Sequence, residues 1–110
     1  MDRSTFRYLL TLNPDINSKD NVGRTALHFA CRAGNRELAH VLLRESNINI
    51  DSQTHGGETP LMAAVLSGDD DILMLLIEEG ANPFIQNNML MTAKDYVQMY
   101  TSGIKKNYYI

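Results

Sequence analysis

A segment recurs along this chain at a nearly fixed interval, and that recurrence constrains its folding more than any other feature. Gly23-Arg24-Thr25-Ala26-Leu27-His28-Phe29-Ala30 aligns with Gly57-Glu58-Thr59-Pro60-Leu61-Met62-Ala63-Ala64, the two threonines lying 34 residues apart. Gly34 and Gly68 keep the same interval, and a third copy, Thr92-Ala93-Lys94-Asp95-Tyr96-Val97, starts 33 residues after the second. The unit ends match as well, Asn13-Pro14-Asp15-Ile16-Asn17 with Gly80-Ala81-Asn82-Pro83-Phe84. A period near 33 means one supersecondary unit repeated along a stack, each copy burying its apolar face only against its neighbours.

Within a unit the residues specify two short helices. Thr59 is an N-cap, its hydroxyl placed to accept from an orphan backbone N–H, and Pro60 takes the first helical position, where a missing N–H costs nothing. Leu61, Ala64 and Val65 then form one helix face, and Leu27, Ala30 and Cys31 repeat it one unit earlier. Gly34 and Gly68 end these helices in the left-handed conformation. Asn35 and Asp69 cap a second helix, whose apolar stripe is Leu38, Val41 and Leu42 in one copy and Ile72, Leu75 and Leu76 in the next. Asn17–Gly23, Ile50–Gly57 and Phe84–Met91 are turn-rich connections that project as hairpin fingers. In the third finger Leu90 stands where the first two have Gly23 and Gly57; leucine tolerates a positive φ badly, which predicts a different turn there.

The remaining sequence narrows the class of function. The chain has 110 residues, enough for one domain, and carries 13 acidic and 10 basic side chains for a net charge of −3. A dedicated nucleic-acid binder would show a basic excess; only Lys105-Lys106 and the arginines of residues 1–50 point that way. The charge is uneven, basic before residue 50 and acidic after it. The single cysteine excludes an intrachain disulfide framework, no apolar run reaches membrane-spanning length, and the N-terminus has no signal-peptide pattern. An intracellular location, cytoplasmic or nuclear, fits these features.

Candidate chemistry is sparse. His28 and Cys31 share a helix face, but no second ligand pair has metal spacing, and a buried structural pair is the better reading. Asp69-Asp70-Asp71 sits at a helix start, where capping and the helix dipole account for it, and Glu78-Glu79 reads as a solvated face. Gly56-Gly57 lacks the Lys-Ser/Thr of a phosphate cradle, and no Ser/His/Asp set is indicated. The expectation is a non-enzyme without metal or cofactor.

With these motifs in hand, the chain resembles the ankyrin-repeat family over nearly its whole length. The resemblance implies an all-α solenoid of stacked helix-turn-helix units with short β-hairpin fingers. Its divisions would be a partial repeat at 1–19, recognised through Leu9-Leu10, then full repeats at 20–51 and 52–86, then a partial or capping repeat at 87–110. A chain starting inside a repeat suggests a piece of a longer protein. The resemblance also implies a protein-binding surface. Its finger positions are Asn21, Val22 and Arg24, then His55, Gly56 and Glu58, then Asn88, Met89 and Met91. Its helix positions are Arg32 and Ala33, then Leu66 and Ser67, then Met99 and Tyr100. Arg24 and Arg32 would anchor an acidic group, and the methionines would form an adaptable apolar end. Phe29 and Tyr96 would be core. The implied function is recognition of another protein or peptide by a monomer, without nucleic acid or membrane insertion. The alternative is a regulatory or targeting domain acting in cis within a larger enzyme, such as a kinase, acyltransferase or ubiquitin ligase.

Overall fold

Each helix begins on a side-chain cap and the first of each pair ends on a left-handed glycine. The computed structural model describes residues 15–101, with the backbone alone at Tyr100 and Thr101. The expected partial unit before Asp15, the tail after Thr101 with Lys105-Lys106, and the side chain of Tyr100 lie outside the described residues. Helix α1 spans Ala26–Ala33 and α2 spans Arg36–Leu43. Helix α3 spans Pro60–Ser67, α4 spans Asp70–Glu78 and α5 spans Ala93–Thr101. Thr25, Asn35, Thr59 and Asp69 cap the first four as the sequence predicts, and Gly34 and Gly68 adopt φ of 68° and 77°. Pro60 occupies the first turn of α3.

Helices of eight or nine residues are marginal in isolation, so their stability comes from packing. The inner helices α1, α3 and α5 stack in a row, and the outer helices α2 and α4 pack beside each other and against their inner partners. Leu27, Ala30 and Cys31 of α1 are buried with Leu38 and Leu42 of α2, Leu61 and Ala64 of α3, and Ile72 and Leu76 of α4. Helix α3 is buried along Pro60–Val65, because it is enclosed by an inner helix on each side. The molecule is elongated, 45 × 26 × 25 Å.

The units are also tied by polar contacts at the repeat interval. His28 shows how. The Thr25 backbone N–H donates to its Nδ1 at 3.1 Å, so that nitrogen is an acceptor and Nε2 carries the proton, which it donates to the Glu58 carbonyl at 2.8 Å. Burial holds this imidazole below its ordinary pKa of 6.5, keeping it neutral. The N3 position is filled differently in every unit. In α3 Met62 takes the place and only its N–H serves the cap, donating to Thr59 Oγ1 at 3.2 Å, while in α5 Asp95 replaces the imidazole: the Thr92 N–H donates to its carboxylate at 2.9 Å, and its own N–H donates to Thr92 Oγ1 at 3.1 Å. Lys94, standing where leucine is usual, is exposed, with its ammonium 5.4 Å from the Phe84 ring centroid.

Three expectations need correction. Leu90 does not change its turn; it takes the left-handed conformation itself, at φ 64°. The tip bonds override its preference, and its side chain is left 70% exposed. Phe29 is not core but 45% exposed, because it lies on the flank of α1 away from the Leu27–Ala30–Cys31 face; its ring packs under the Arg24 guanidinium at 4.8 Å. Tyr96 is half-buried. The fingers are hydrogen-bonded turns without a β-ladder: no strand occurs among the described residues.

Candidate protein-binding face

The face is built on three fingers closed in the same way. In the first, Asp20 N–H donates to Arg24 O at 3.0 Å and Gly23 N–H donates to Asp20 O at 3.0 Å. Thr54, Gly57 and Glu58 repeat this pair in the second finger at 2.8–2.9 Å, and Asn87, Leu90 and Met91 in the third at 2.9 Å. The first residue of each finger braces the turn with its side chain. Asp20 Oδ1 accepts from the Val22 and Arg24 N–H groups, Thr54 Oγ1 from Glu58, and Asn87 Oδ1 from Met89 and Met91. These donors, led by the Arg24 N–H, hold the Asp20 carboxyl below the usual carboxylate range. Asp, Thr and Asn suit this place because each offers a short side-chain acceptor.

The fingers are then joined side by side. His55 N–H donates to Val22 O at 3.0 Å, and Asn88 N–H donates to Gly56 O at 2.9 Å. The Asn88 amide also donates to His55 O at 2.9 Å, so this finger residue braces its neighbour. Three tips thus form a fixed row rather than independent loops.

Against this row the inner helices define a groove of about 410 Å³. Val22, Arg24, Glu58 and Met89 line it from the fingers, and Arg32 and Leu66 from the helices. Thr54, Asn87 and Tyr96 line it too, and sequence reasoning missed them as site residues. Aligning the fingers on Asp20 would have found Thr54 and Asn87. Tyr96 is held at the groove by the Asn87 amide, which donates to its hydroxyl at 3.1 Å. Val22 and Met89 are 50% and 72% exposed, and Leu66 is partly exposed. Asn21 and His55 are exposed on the fingers without lining the groove, Met91 and Met99 are half-buried, and Ala33 and Ser67 are exposed at the ends of α1 and α3.

The two arginines are not open cations. Arg24 pairs with Asp20 at 2.9 Å, and Arg32 pairs with the Glu58 carboxylate of the next unit at 3.0 Å. An acidic guest would compete with a carboxylate already in place. Nor do His28 and Cys31 make a reactive pair. Both imidazole nitrogens are engaged, and burial, with Asp69 adding to it, pushes the Cys31 thiol up to about 12. Among the described residues no group of three or more His, Cys, Asp or Glu is placed to hold a metal ion, and no helix is long and apolar enough to cross a membrane.

The family model for ankyrin repeats (3 copies) matches residues 2–87. The chain is 36% identical over 85 residues to the nuclear factor NF-kappa-B p105 subunit of Gallus gallus, covering 76% of this chain and 9% of that protein. It is 33% identical over 89 residues to the putative ankyrin repeat protein YahD of Escherichia coli, covering 76% of this chain and 44% of that one. It is 32% identical over 101 residues to a probable serine/threonine-protein kinase of Dictyostelium discoideum, covering 88% of this chain and 12% of that protein. The chain therefore spans less than half the length of each of these relatives. Ankyrin repeats are non-catalytic protein-interaction modules, and in relatives such as these they form part of a longer protein. The family match, the capped helix pairs and the joined fingers agree: this chain belongs to the ankyrin-repeat family.

Proposed function

We propose that the groove between the finger row and the inner helices binds a protein partner, with Val22, Arg24, Arg32, Glu58, Leu66 and Met89 as its principal contacts. The observation that carries this reading is the combination of exposed apolar side chains with a hydrogen-bonded frame beneath them. A surface already held in one conformation loses little freedom on binding, so a larger share of its contact energy appears as affinity. Met and Arg are enriched at protein interfaces and Lys depleted, and the contact set holds arginines and a methionine but no lysine. The net charge of −3 favours a protein over a nucleic acid. Residues 20–51 and 52–86 are the complete repeats of this reading, flanked by partial ones at 1–19 and 87–110. The molecule acts as a non-enzymatic monomeric module in an intracellular compartment, and its buried, unpaired cysteine suits a reducing one.

A second reading has the same face working in cis, regulating or targeting an enzyme in the same polypeptide. The similarity to a probable kinase favours it. Site-specific photocrosslinking tests the face in either case. A photoreactive phenylalanine analogue at position 89, on a fingertip, should form a covalent adduct with a partner protein or with another part of its own polypeptide. The same analogue at position 74, exposed on α4, should form none. Adducts from position 74 and none from position 89 would place recognition on the outer helices instead.

A further inference from the structure

Val22, Gly56 and Met89 occupy equivalent places at the tips of the three fingers, and the middle one lacks a side chain. The backbone does not require this. Gly56 lies outside the left-handed region, and a Cβ built there would meet nothing nearer than Thr54 Oγ1 at 3.8 Å. Its neighbour Gly57 is the opposite case, with φ +83° and a Cβ that would lie 2.7 Å from Asn87 Cα. The fold explains Gly57. It leaves Gly56 unexplained, and the consequence of Gly56 is a gap in the row of tip side chains, opening onto the groove.

The gap cannot close by fingers leaning together. His55 N–H to Val22 O and Asn88 N–H to Gly56 O fix the spacing on both sides. Val22 and Met89 line the opening from either side, and Leu66 and Tyr96 line the groove from the helices. Arg32 and Glu58, also lining it, neutralise each other at 3.0 Å. Arg24 lines it as well, paired with Asp20 at 2.9 Å, so a charged guest would compete with pairs already made, whereas an uncharged apolar one leaves them intact. The groove volume of about 410 Å³ is at the small end of ligand sites, which run from about 300 to 1,000 Å³. It suits one large side chain with its adjoining backbone and is small for a folded element.

We propose that Gly56 is the specificity-determining position of this face, leaving an apolar slot between Val22 and Met89 that receives one large uncharged side chain, such as Leu, Met or Phe, from an extended segment of the partner polypeptide. This rests on the reading of the face as a protein-binding surface, and its test separates the two.

The probe is a library of random peptides displayed on phage, selected against the whole chain. Peptides retained by the wild type are then measured against Gly56→Ala, Gly56→Leu and Leu66→Asp, with circular dichroism confirming that each variant is folded. The expected result is a peptide consensus containing one large apolar residue. Affinity should fall about tenfold or more in Gly56→Leu, where the slot is filled, and by a smaller factor in Gly56→Ala. Leu66→Asp should abolish binding. Peptides lost by Leu66→Asp but indifferent to Gly56→Leu would overturn the slot and leave the face standing. Peptides indifferent to both would overturn the face as well. A consensus of charged residues, or no enrichment at all, would also overturn the slot, since a preformed apolar site should select apolar peptides.

Discussion

His28 connects two units through a single neutral imidazole. Its contact with Thr25 is legible in the sequence, because the two residues lie one helical turn apart and the N-cap geometry is local. Its contact with the Glu58 carbonyl is not, because it joins residues 30 apart whose approach depends on how the units stack. This burial predicts a pH effect. The folded pKa lies below 6.5, so between the folded and unfolded values the unfolded chain binds the extra proton. Stability is therefore complete above 6.5, falls as pH drops through that window, and levels off below the folded value. The depressed carboxyls of Asp20 and Asp69 act separately, their contributions being lost only as pH falls below 3.8. Replacing His28 with methionine, the residue that the next unit places there, should cost about 1–3 kcal/mol at neutral pH through the lost cross-unit bond and the buried Thr25 N–H left without its acceptor. It should also remove the slope. Urea unfolding at about pH 7.5 and about pH 5.5 checks both, and an unchanged slope in the variant would assign the pH dependence elsewhere.

The helices were legible element by element because their signals are short-range: a capping threonine or asparagine, an apolar stripe, a terminal glycine. The fingers were only half legible. Leu90 argued locally for a different turn, yet the third finger keeps the turn of the other two, since the Asn87 side chain and the bond from Asn88 to Gly56 fix its path. Leu90 is therefore a strained position with little burial to offset the strain. Leu90→Gly should raise stability by about 1 kcal/mol, the cost of left-handed backbone for a residue with a side chain, partly offset by greater freedom in the unfolded chain. Gly57→Ala should do the reverse and more strongly, by about 2 kcal/mol or more, because it adds a clash with the Asn87 backbone to the same conformational strain. Denaturant midpoints compare the two directly. A destabilised Leu90→Gly would mean that the leucine makes an essential contact.

At the scale of the whole molecule, the period showed a stack, and with it which residues would be inner, outer and at the tips. The period could not show how tip and helix side chains are used once the units meet. Arg24 and Arg32 stand at the predicted positions, but Asp20 and Glu58 already occupy them, and Glu58 reaches Arg32 only because the units are in register. Exposed pairs of this kind contribute about 0.2–1 kcal/mol, so they tune the surface more than they hold the stack together. The stack itself rests on the buried face of α3, which touches helices on both sides. Two of its exposed apolar surfaces among the described residues are the groove, with Leu66 and Met89, and the outer helix α4, with Met74 and Ile77; Phe29, Phe84 and Leu90 are exposed elsewhere. Affinity capture from a lysate of the source organism, using the wild type, Leu66→Asp and Met74→Asp side by side, decides between them. Binding through the groove predicts the same specific proteins on the wild type and Met74→Asp, and their loss from Leu66→Asp. Proteins retained by Leu66→Asp but lost from Met74→Asp would contradict it and move the functional surface to the outer helices.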